Sequence, residues 1–126
     1  MIVVDTSALM AILLAEPESE RCIEVLGAQS EVSISAGTLA EALILAGRRN
    51  VGDEMSALVD ALGFDVVPVS GSAALKVAQA YARWGKGIHP ASLNFGDCFA
   101  YALARETACP LLFVGDDFAR TDVERA

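Results

Sequence analysis

Ile2-Val3-Val4-Asp5-Thr6-Ser7 is the stretch that decides the fold. Three β-branched residues in a row are typical of a buried strand in a parallel sheet. The Asp, Thr and Ser that follow are residues whose side chains accept hydrogen bonds from the free N–H groups at the start of a helix. The stretch therefore predicts a buried first strand that runs directly into a helix, with Asp5 at the junction.

The same alternation of strand and helix continues along the chain. Further strand-like runs cover residues 32–35, 64–69 and 111–114. Helical stretches cover residues 9–15, 18–26, 37–48, 53–62, 70–84 and 95–106. This order predicts a single α/β domain over residues 1–126, a three-layer sandwich in which helices flank a mainly parallel central sheet.

Composition excludes several classes of protein. Hydrophobic residues make up 54% and charged residues 21% of the 126 positions, which excludes a disordered chain. No apolar run approaches the roughly 18 residues of a membrane span, and the N-terminus lacks the basic start of a signal peptide. We therefore expect a cytoplasmic protein with no membrane segment. Three cysteines without CxxC spacing and a single histidine indicate reduced thiols, and disfavour a zinc site or a Ser-His-Asp triad.

The net charge of −8 argues against broad nucleic-acid binding through a basic surface. It leaves open a nuclease whose acids hold a metal ion that meets the phosphate, and it favours a basic protein partner. The high hydrophobic content indicates an apolar surface that a partner or a second copy covers.

Four acidic positions lie within apolar sequence or directly at its end: Asp5, Glu41, Asp97 and the pair Asp116-Asp117. A carboxylate beside a core costs several kcal/mol unless it is paired or bound to a cation. None of the nine Lys and Arg residues lies within three positions of Asp5, Glu41 or Asp97. Because parallel sheets carry their sites at the carboxyl ends of strands, the acids after the first and last strands reach one edge. If all of these acids converge, a divalent metal is the simplest way to neutralise them.

Most of these acids also have a purely structural interpretation. Asp5 could cap a helix, with Ser7 holding it through a hydrogen bond in either case. Asp97, three residues after the candidate cap Asn94, could bond back to that cap, and Asp116-Asp117 could be turn residues. Glu41 lies in the middle of an apolar helix, two turns from the nearest following cation, and a functional carboxylate is favoured there.

Arg83, Trp84, Lys86 and His89 form the only basic and aromatic cluster, in or beside the one long loop, from Gly85 to Pro90. The cluster could bind RNA phosphate and stack a base. The alternative is a helix end whose cations favour the helix dipole and whose Trp packs on the core.

The chain resembles the PIN-domain ribonucleases, specifically the VapC toxins of type II toxin–antitoxin pairs. The residues that carry the resemblance are the segments 2–8, 35–43, 94–102, 111–118 and 121–123. The most specific are Phe95-Gly96-Asp97-Cys98-Phe99 and Gly115-Asp116-Asp117-Phe118. Many relatives carry Thr-x-Asp where this chain has Gly115, so the fourth acid of the family falls on Asp117, or on Asp116 as the alternative.

The resemblance implies a PIN-like sandwich and an Mg²⁺- or Mn²⁺-dependent endoribonuclease that cuts tRNA, rRNA or mRNA. Asp5 and Asp97 would be direct metal ligands, Glu41 a ligand or general base, and Asp117 would orient a second ion or water. It also implies a VapB-type antitoxin and a homodimer. Two rivals are a phosphoacceptor signalling domain, which would need a Lys after the last strand where none follows Lys86, and a catalytically silent binding module.

Overall fold

The computed structural model describes residues 1–126. The strands are β1 (Ile2–Val4), β2 (Val32–Ser35), β3 (Asp65–Val67) and β4 (Leu111–Leu112). The α-helices are α1 (Thr6–Leu13), α2 (Ser19–Gly27), α3 (Ala36–Arg48), α4 (Gly52–Leu62), α5 (Gly71–Trp84) and α6 (Phe95–Thr107), and a 3-10 helix covers Phe118–Arg120. None of the six α-helices has the combination of length and apolar character that a membrane crossing requires.

The four strands form one sheet in the order β3-β2-β1-β4, and every neighbouring pair is parallel. From β1 the chain proceeds to β2 and β3 on one side, and it then returns to place β4 on the other side of β1. The strand order therefore reverses between β1 and β4. In open parallel sheets, ligands bind in the crevice that such a reversal leaves at the carboxyl ends of the strands.

Both faces of the sheet are covered, so the predicted three-layer sandwich is confirmed. Val3 belongs to a core beneath α5 and α6 that also contains Leu111 and Phe113. Ile2 and Val4 point to the opposite face and pack with residues of α1 to α4. The alternation along β1 follows from the period of two in a strand, and the apolar character of all three residues follows from burial on both sides.

The structure corrects several element boundaries. Helix α1 begins at Thr6 and not near residue 9, because Asp5 already acts as its cap. Strand β3 ends at Val67, before Pro68, which has no N–H to donate to a ladder. Strand β4 ends at Leu112 and not at residue 114, because the Val114 N–H donates to the Ser7 hydroxyl at 3.0 Å.

The C-terminal segment returns to the sheet, which the sequence analysis did not predict. The Leu111 N–H donates to the Glu124 carbonyl at 2.8 Å, and the Ala126 N–H donates to the Leu111 carbonyl at 3.0 Å. An isolated parallel bridge between Leu111 and Arg125 results. The last residues thus protect the outer edge of β4.

Candidate active site

Asp5 is buried at the end of the central strand, with 2% of its surface exposed. Its Oδ2 atom accepts hydrogen bonds from the Ser7 backbone N–H at 3.0 Å and from the Ser7 hydroxyl at 2.7 Å. Its Oδ1 atom is buried and has no hydrogen-bond partner. One oxygen therefore caps helix α1, and the other is free for a ligand.

The two carboxylate oxygens of Asp97, at the start of α6, likewise have different roles. The Asn94 side chain accepts from the Asp97 N–H at 2.9 Å, and Asp97 Oδ2 accepts from the Asn94 N–H at 3.0 Å. This reciprocal pair is a capping box. Asp97 Oδ1 takes no part in it and accepts no hydrogen bond from the protein. The structural and the functional interpretations of this acid are therefore compatible.

Glu41 approaches this region from helix α3, which packs against α6. Its carboxylate lies directly on the backbone of Gly96, where a Cβ atom on residue 96 would overlap with it. A Cβ on Gly37 would similarly overlap with the Phe99 ring. The two glycines allow α3 and α6 to come close enough for Glu41 to reach the first turn of α6. The sequence analysis missed the role of Gly96, although its place next to Asp97 was a usable signal.

The pKa shifts of two of the predicted acids show that the acidic side chains act on one another. The pKa of Asp97 is raised to about 7, chiefly by burial and also by the negative charges of Asp5, Glu41 and Asp117, while the hydrogen bond from the Asn94 N–H opposes the shift. Burial likewise raises the pKa of Asp5 to about 6, opposed by the Ser7 hydrogen bonds and assisted by the Glu41 charge. Asp117 is exposed, yet it is the member of the acid pair whose charge acts on Asp97. The charge of one carboxylate acts on another mainly over short distances, so Asp5, Glu41 and Asp117 lie in the neighbourhood of Asp97.

No cation of the protein compensates this cluster. The acidic partners in the five ion pairs of the structure are Glu18, Glu106 and Asp122, and none belongs to the cluster. Oxygen donors alone, several of them without a hydrogen-bond partner in the protein, fit a hard divalent cation such as Mg²⁺. No three acidic, His or Cys side chains are already arranged as a ligand set. Binding of one ion would therefore have to draw the carboxylates closer together.

Of the two interpretations of Trp84, the structure supports core packing and not the stacking of an RNA base. The side chain is 8% exposed, and its Nε1 donates to the Tyr101 hydroxyl at 2.9 Å. The edge of the His89 ring packs on it at a centroid distance of 4.6 Å. Trp84 is thus a core residue, as the alternative interpretation held. Arg83 lies over its ring at 4.5 Å, and Lys86 is exposed in the loop.

A family model for the PIN domain matches residues 2–124. The chain belongs to the PIN domain family. This PIN domain is 42% identical over 129 aligned positions to ribonuclease VapC42 of Mycobacterium tuberculosis, with 98% of each chain covered. It is 40% identical over 124 positions to ribonuclease VapC30 of the same organism, covering 96% of this chain and 95% of that one. Identity of this extent over whole chains confirms the predicted membership in the VapC group.

Solved structures agree with the fold of this PIN domain. VapC20 of Mycobacterium tuberculosis, described as a toxin that cleaves the sarcin–ricin loop, has a TM-score of 0.81 at 17% identity, with 100% of this chain and 98% of that chain covered. VapBC2 of Rickettsia felis, bound to a DNA fragment from its promoter, has a TM-score of 0.72 at 15% identity, with 99% and 96% covered. At such low identity these structures support the α/β sandwich alone.

Proposed function

We propose that this PIN domain is a divalent-metal-dependent endoribonuclease and the toxin of a type II toxin–antitoxin pair. The observation that carries the proposal is the buried, unpartnered Oδ1 of Asp5 beside two further carboxylates, with no protein cation to compensate them. Buried carboxylates without a compensating cation destabilise the metal-free protein, and such an arrangement is typical of a site that binds a ligand. The ribonuclease names of the relatives with about 40% identity support RNA as the substrate class.

Asp5 and Asp97 would hold Mg²⁺ or Mn²⁺ through their free Oδ1 atoms, with Glu41 and Asp117 beside them. Such an ion supplies charge neutralisation for the phosphate and the leaving oxygen, and makes water a stronger nucleophile. The Oδ2 anchors to Ser7 and to the Asn94 N–H fix the direction in which each free oxygen points. Each aspartate therefore loses less side-chain freedom when an ion draws the carboxylates together.

Glu41 is the candidate general base. Its carboxylate makes no hydrogen bond with the protein, and the residue is only half-buried, so an attacking water can reach it. In this role a Glu41 oxygen accepts the proton that the water loses as its oxygen attacks the phosphorus, while the bond from phosphorus to the leaving ribose oxygen breaks and that oxygen takes up a proton from solvent. The other role open to Glu41 is direct metal ligation. Asp117, exposed at the rim, would orient a second ion or the water.

An apolar pocket of about 330 Å³ adjoins the acids and supports a protein partner. Ile44 is 62% exposed and Phe95 is 70% exposed there, and Glu41 forms part of the wall. We propose that a VapB-type antitoxin covers this pocket and presents a basic side chain to the carboxylates. The net charge of −8 favours such a partner. A solved relative of the same fold is a toxin–antitoxin complex from Klebsiella pneumoniae. Homodimerisation is part of the same proposal.

The test is cleavage of structured RNA by the purified protein with Mg²⁺ or Mn²⁺. Glu41→Gln should abolish cleavage, whereas Glu54→Gln, which removes an exposed carboxylate on α4, should not change it. EDTA should also abolish cleavage, and cleavage that survives EDTA would reveal a contaminant. If no RNA is cut with either metal, the silent-module alternative replaces the proposal. If RNA is cut, sequencing of RNA ends after induction in cells would identify the target as tRNA, rRNA or mRNA.

A further inference from the structure

A second concave site lies between α5 and α6, and none of the four candidate acids lines it. Its volume is about 320 Å³, near the lower end of the range for small-ligand sites, about 300–1,000 Å³. Its lining includes Ala80, Tyr101, Lys76, Arg83 and Arg105, and also Glu106, which accepts a hydrogen bond from Lys76 at 2.7 Å. Three of the nine Lys and Arg residues thus gather at one pocket of a protein whose net charge is −8. We name this site the α5–α6 basic pocket.

The two arginines of this pocket have unused hydrogen-bond donors. Arg83 and Arg105 approach the same Oδ2 of Asp122 at 3.6 and 3.7 Å, which is too far for a hydrogen bond, and neither guanidinium donates to any other acceptor of the protein. The Asp122 Oδ1 atom already accepts the Tyr101 hydroxyl at 2.6 Å. Arg21, by contrast, donates to a carboxylate and to two backbone carbonyls. Each guanidinium carries five N–H donors, so the pocket offers many that an incoming anion could use.

We propose that the α5–α6 basic pocket binds phosphodiester groups of single-stranded RNA. This inference rests on the proposed function, since it names where the substrate extends beyond the acids. The planar fork of an arginine matches two oxygens of a phosphate, and such charge-assisted pairs are stronger than neutral hydrogen bonds. Lys76 and Arg83 are seven residues apart, or about 10 Å along α5. That span exceeds a single phosphate group and suits consecutive phosphates of a chain.

The pocket is within reach of a strand that occupies the acid site. Asp97 lies in the first turn of α6 and Arg105 lies eight residues later, about 12 Å along the helix axis and about 80° around it. The α6 residues between them are mostly buried, so this part of α6 offers RNA no continuous surface. An RNA strand with its scissile bond at the acids reaches the two arginines across the neighbouring surface, over a separation on the order of the 12 Å along the helix axis.

The test is RNA binding by a double variant, Arg83→Gln with Arg105→Gln, made in an Asp97→Asn background so that the RNA is not cut. Fluorescence anisotropy with a labelled single-stranded RNA of about 12 nucleotides gives the dissociation constant. We expect it to rise roughly tenfold, and the salt dependence of log K to become shallower by about 1.4, because each phosphate contact on a single strand contributes about 0.7. The matched control, Arg48→Gln with Arg49→Gln, removes the same two charges from exposed positions at the end of α3.

Equal losses in the two double variants would overturn the proposal, because net charge alone would then explain both. The single variant Arg105→Gln, which leaves the contact between Arg83 and Trp84 intact, should give half of the slope change and guards against misfolding. Binding of inorganic phosphate or of polyglutamate that depends on the arginines, with RNA affinity unchanged, would assign the pocket to a free anion or to an acidic protein and would refute the RNA proposal.

An RNA cleavage assay of the wild-type protein distinguishes failure of this inference from failure of the proposed function. If that protein cuts RNA and the double variant binds RNA normally, the pocket proposal fails and the ribonuclease stands. If it cuts nothing but binding depends on the two arginines, the ribonuclease fails and the pocket stands. When Asp97 is retained, so that the protein can cut RNA, the double variant should have a higher KM and an unchanged kcat, because the pocket is remote from the reacting bond.

Discussion

Asp5→Asn should stabilise the metal-free protein, and the gain should depend on pH. Burial raises the pKa of Asp5 from 3.8 to about 6, so the folded state holds the proton more tightly than the unfolded state does. Stability from the protonated form is complete below pH 4 and is lost as the pH rises through about 6. A difference of about two pKa units corresponds to about 3 kcal/mol at pH 8, and Asp5 is too buried for solvent to screen much of it.

The asparagine retains an acceptor for both Ser7 hydrogen bonds and removes the charge. Its amide N–H groups replace the unpartnered Oδ1 atom, which costs about 1–2 kcal/mol at every pH. Because that cost is the same at every pH, it cancels when the change in the free energy of unfolding caused by Asp5→Asn is compared at two pH values. That change should be about 2 kcal/mol more stabilising at about pH 8 than at about pH 4.5. Urea unfolding in EDTA measures it, with the exposed Asp60→Asn as the control that changes stability by less than about 0.5 kcal/mol. The same effect of Asp5→Asn at both pH values would refute a carboxylate destabilised by burial.

Three further outcomes follow from the same geometry. Gly96→Ala should displace the Glu41 carboxylate and lower RNA cleavage by about 10²-fold, whereas Gly47→Ala, which meets no atom within 4 Å, should leave it unchanged. Asp97→Asn should abolish cleavage yet unfold at the same or higher urea concentration than the wild type in EDTA, because its amide oxygen can still accept from the helix cap, while Asp97→Ala should unfold at a lower concentration. Mg²⁺ should raise the melting temperature more at pH 8 than at pH 5 in differential scanning fluorimetry, because the pKa values of about 6 and 7 leave both site aspartates protonated at the lower pH. Equal shifts at both pH values, or no shift in the wild type, would contradict metal binding by these carboxylates.

The parts of the site that depend on near neighbours in sequence could be predicted. Ser7 is two residues from Asp5, and Asn94 is three residues from Asp97, so cap chemistry indicated both contacts. The mainly parallel direction of the strands could also be predicted, because short apolar runs alternated with helices along the chain. What sequence analysis treated as competing interpretations of each aspartate turned out to be compatible, since a carboxylate has two oxygens with different partners.

Contacts between distant elements could not be predicted in the same way. Glu41 meets Gly96 only because α3 crosses α6 closely, and that crossing depends on the packing of many side chains. Trp84 is buried because the Tyr101 hydroxyl, on a different helix, accepts its N–H. A tryptophan beside cations in a loop is compatible with RNA stacking or with core packing, and only the tertiary structure distinguishes the two.

The reversal of strand order explains why the acids meet and why their meeting is costly. Asp5 follows β1, Asp97 begins the helix that precedes β4, and Asp117 follows β4, so all three lie at the carboxyl edge of the sheet, where we propose that they share the crevice between β1 and β4. A sequence selected for stability alone would replace the most buried of them, because its charge opposes folding without metal. Function and instability should therefore have the same origin. Asp5→Asn tests this most directly, because it should both raise stability at pH 8 and abolish RNA cleavage. A variant that became more stable and still cleaved RNA would show that the buried charge of Asp5 is not needed for the reaction.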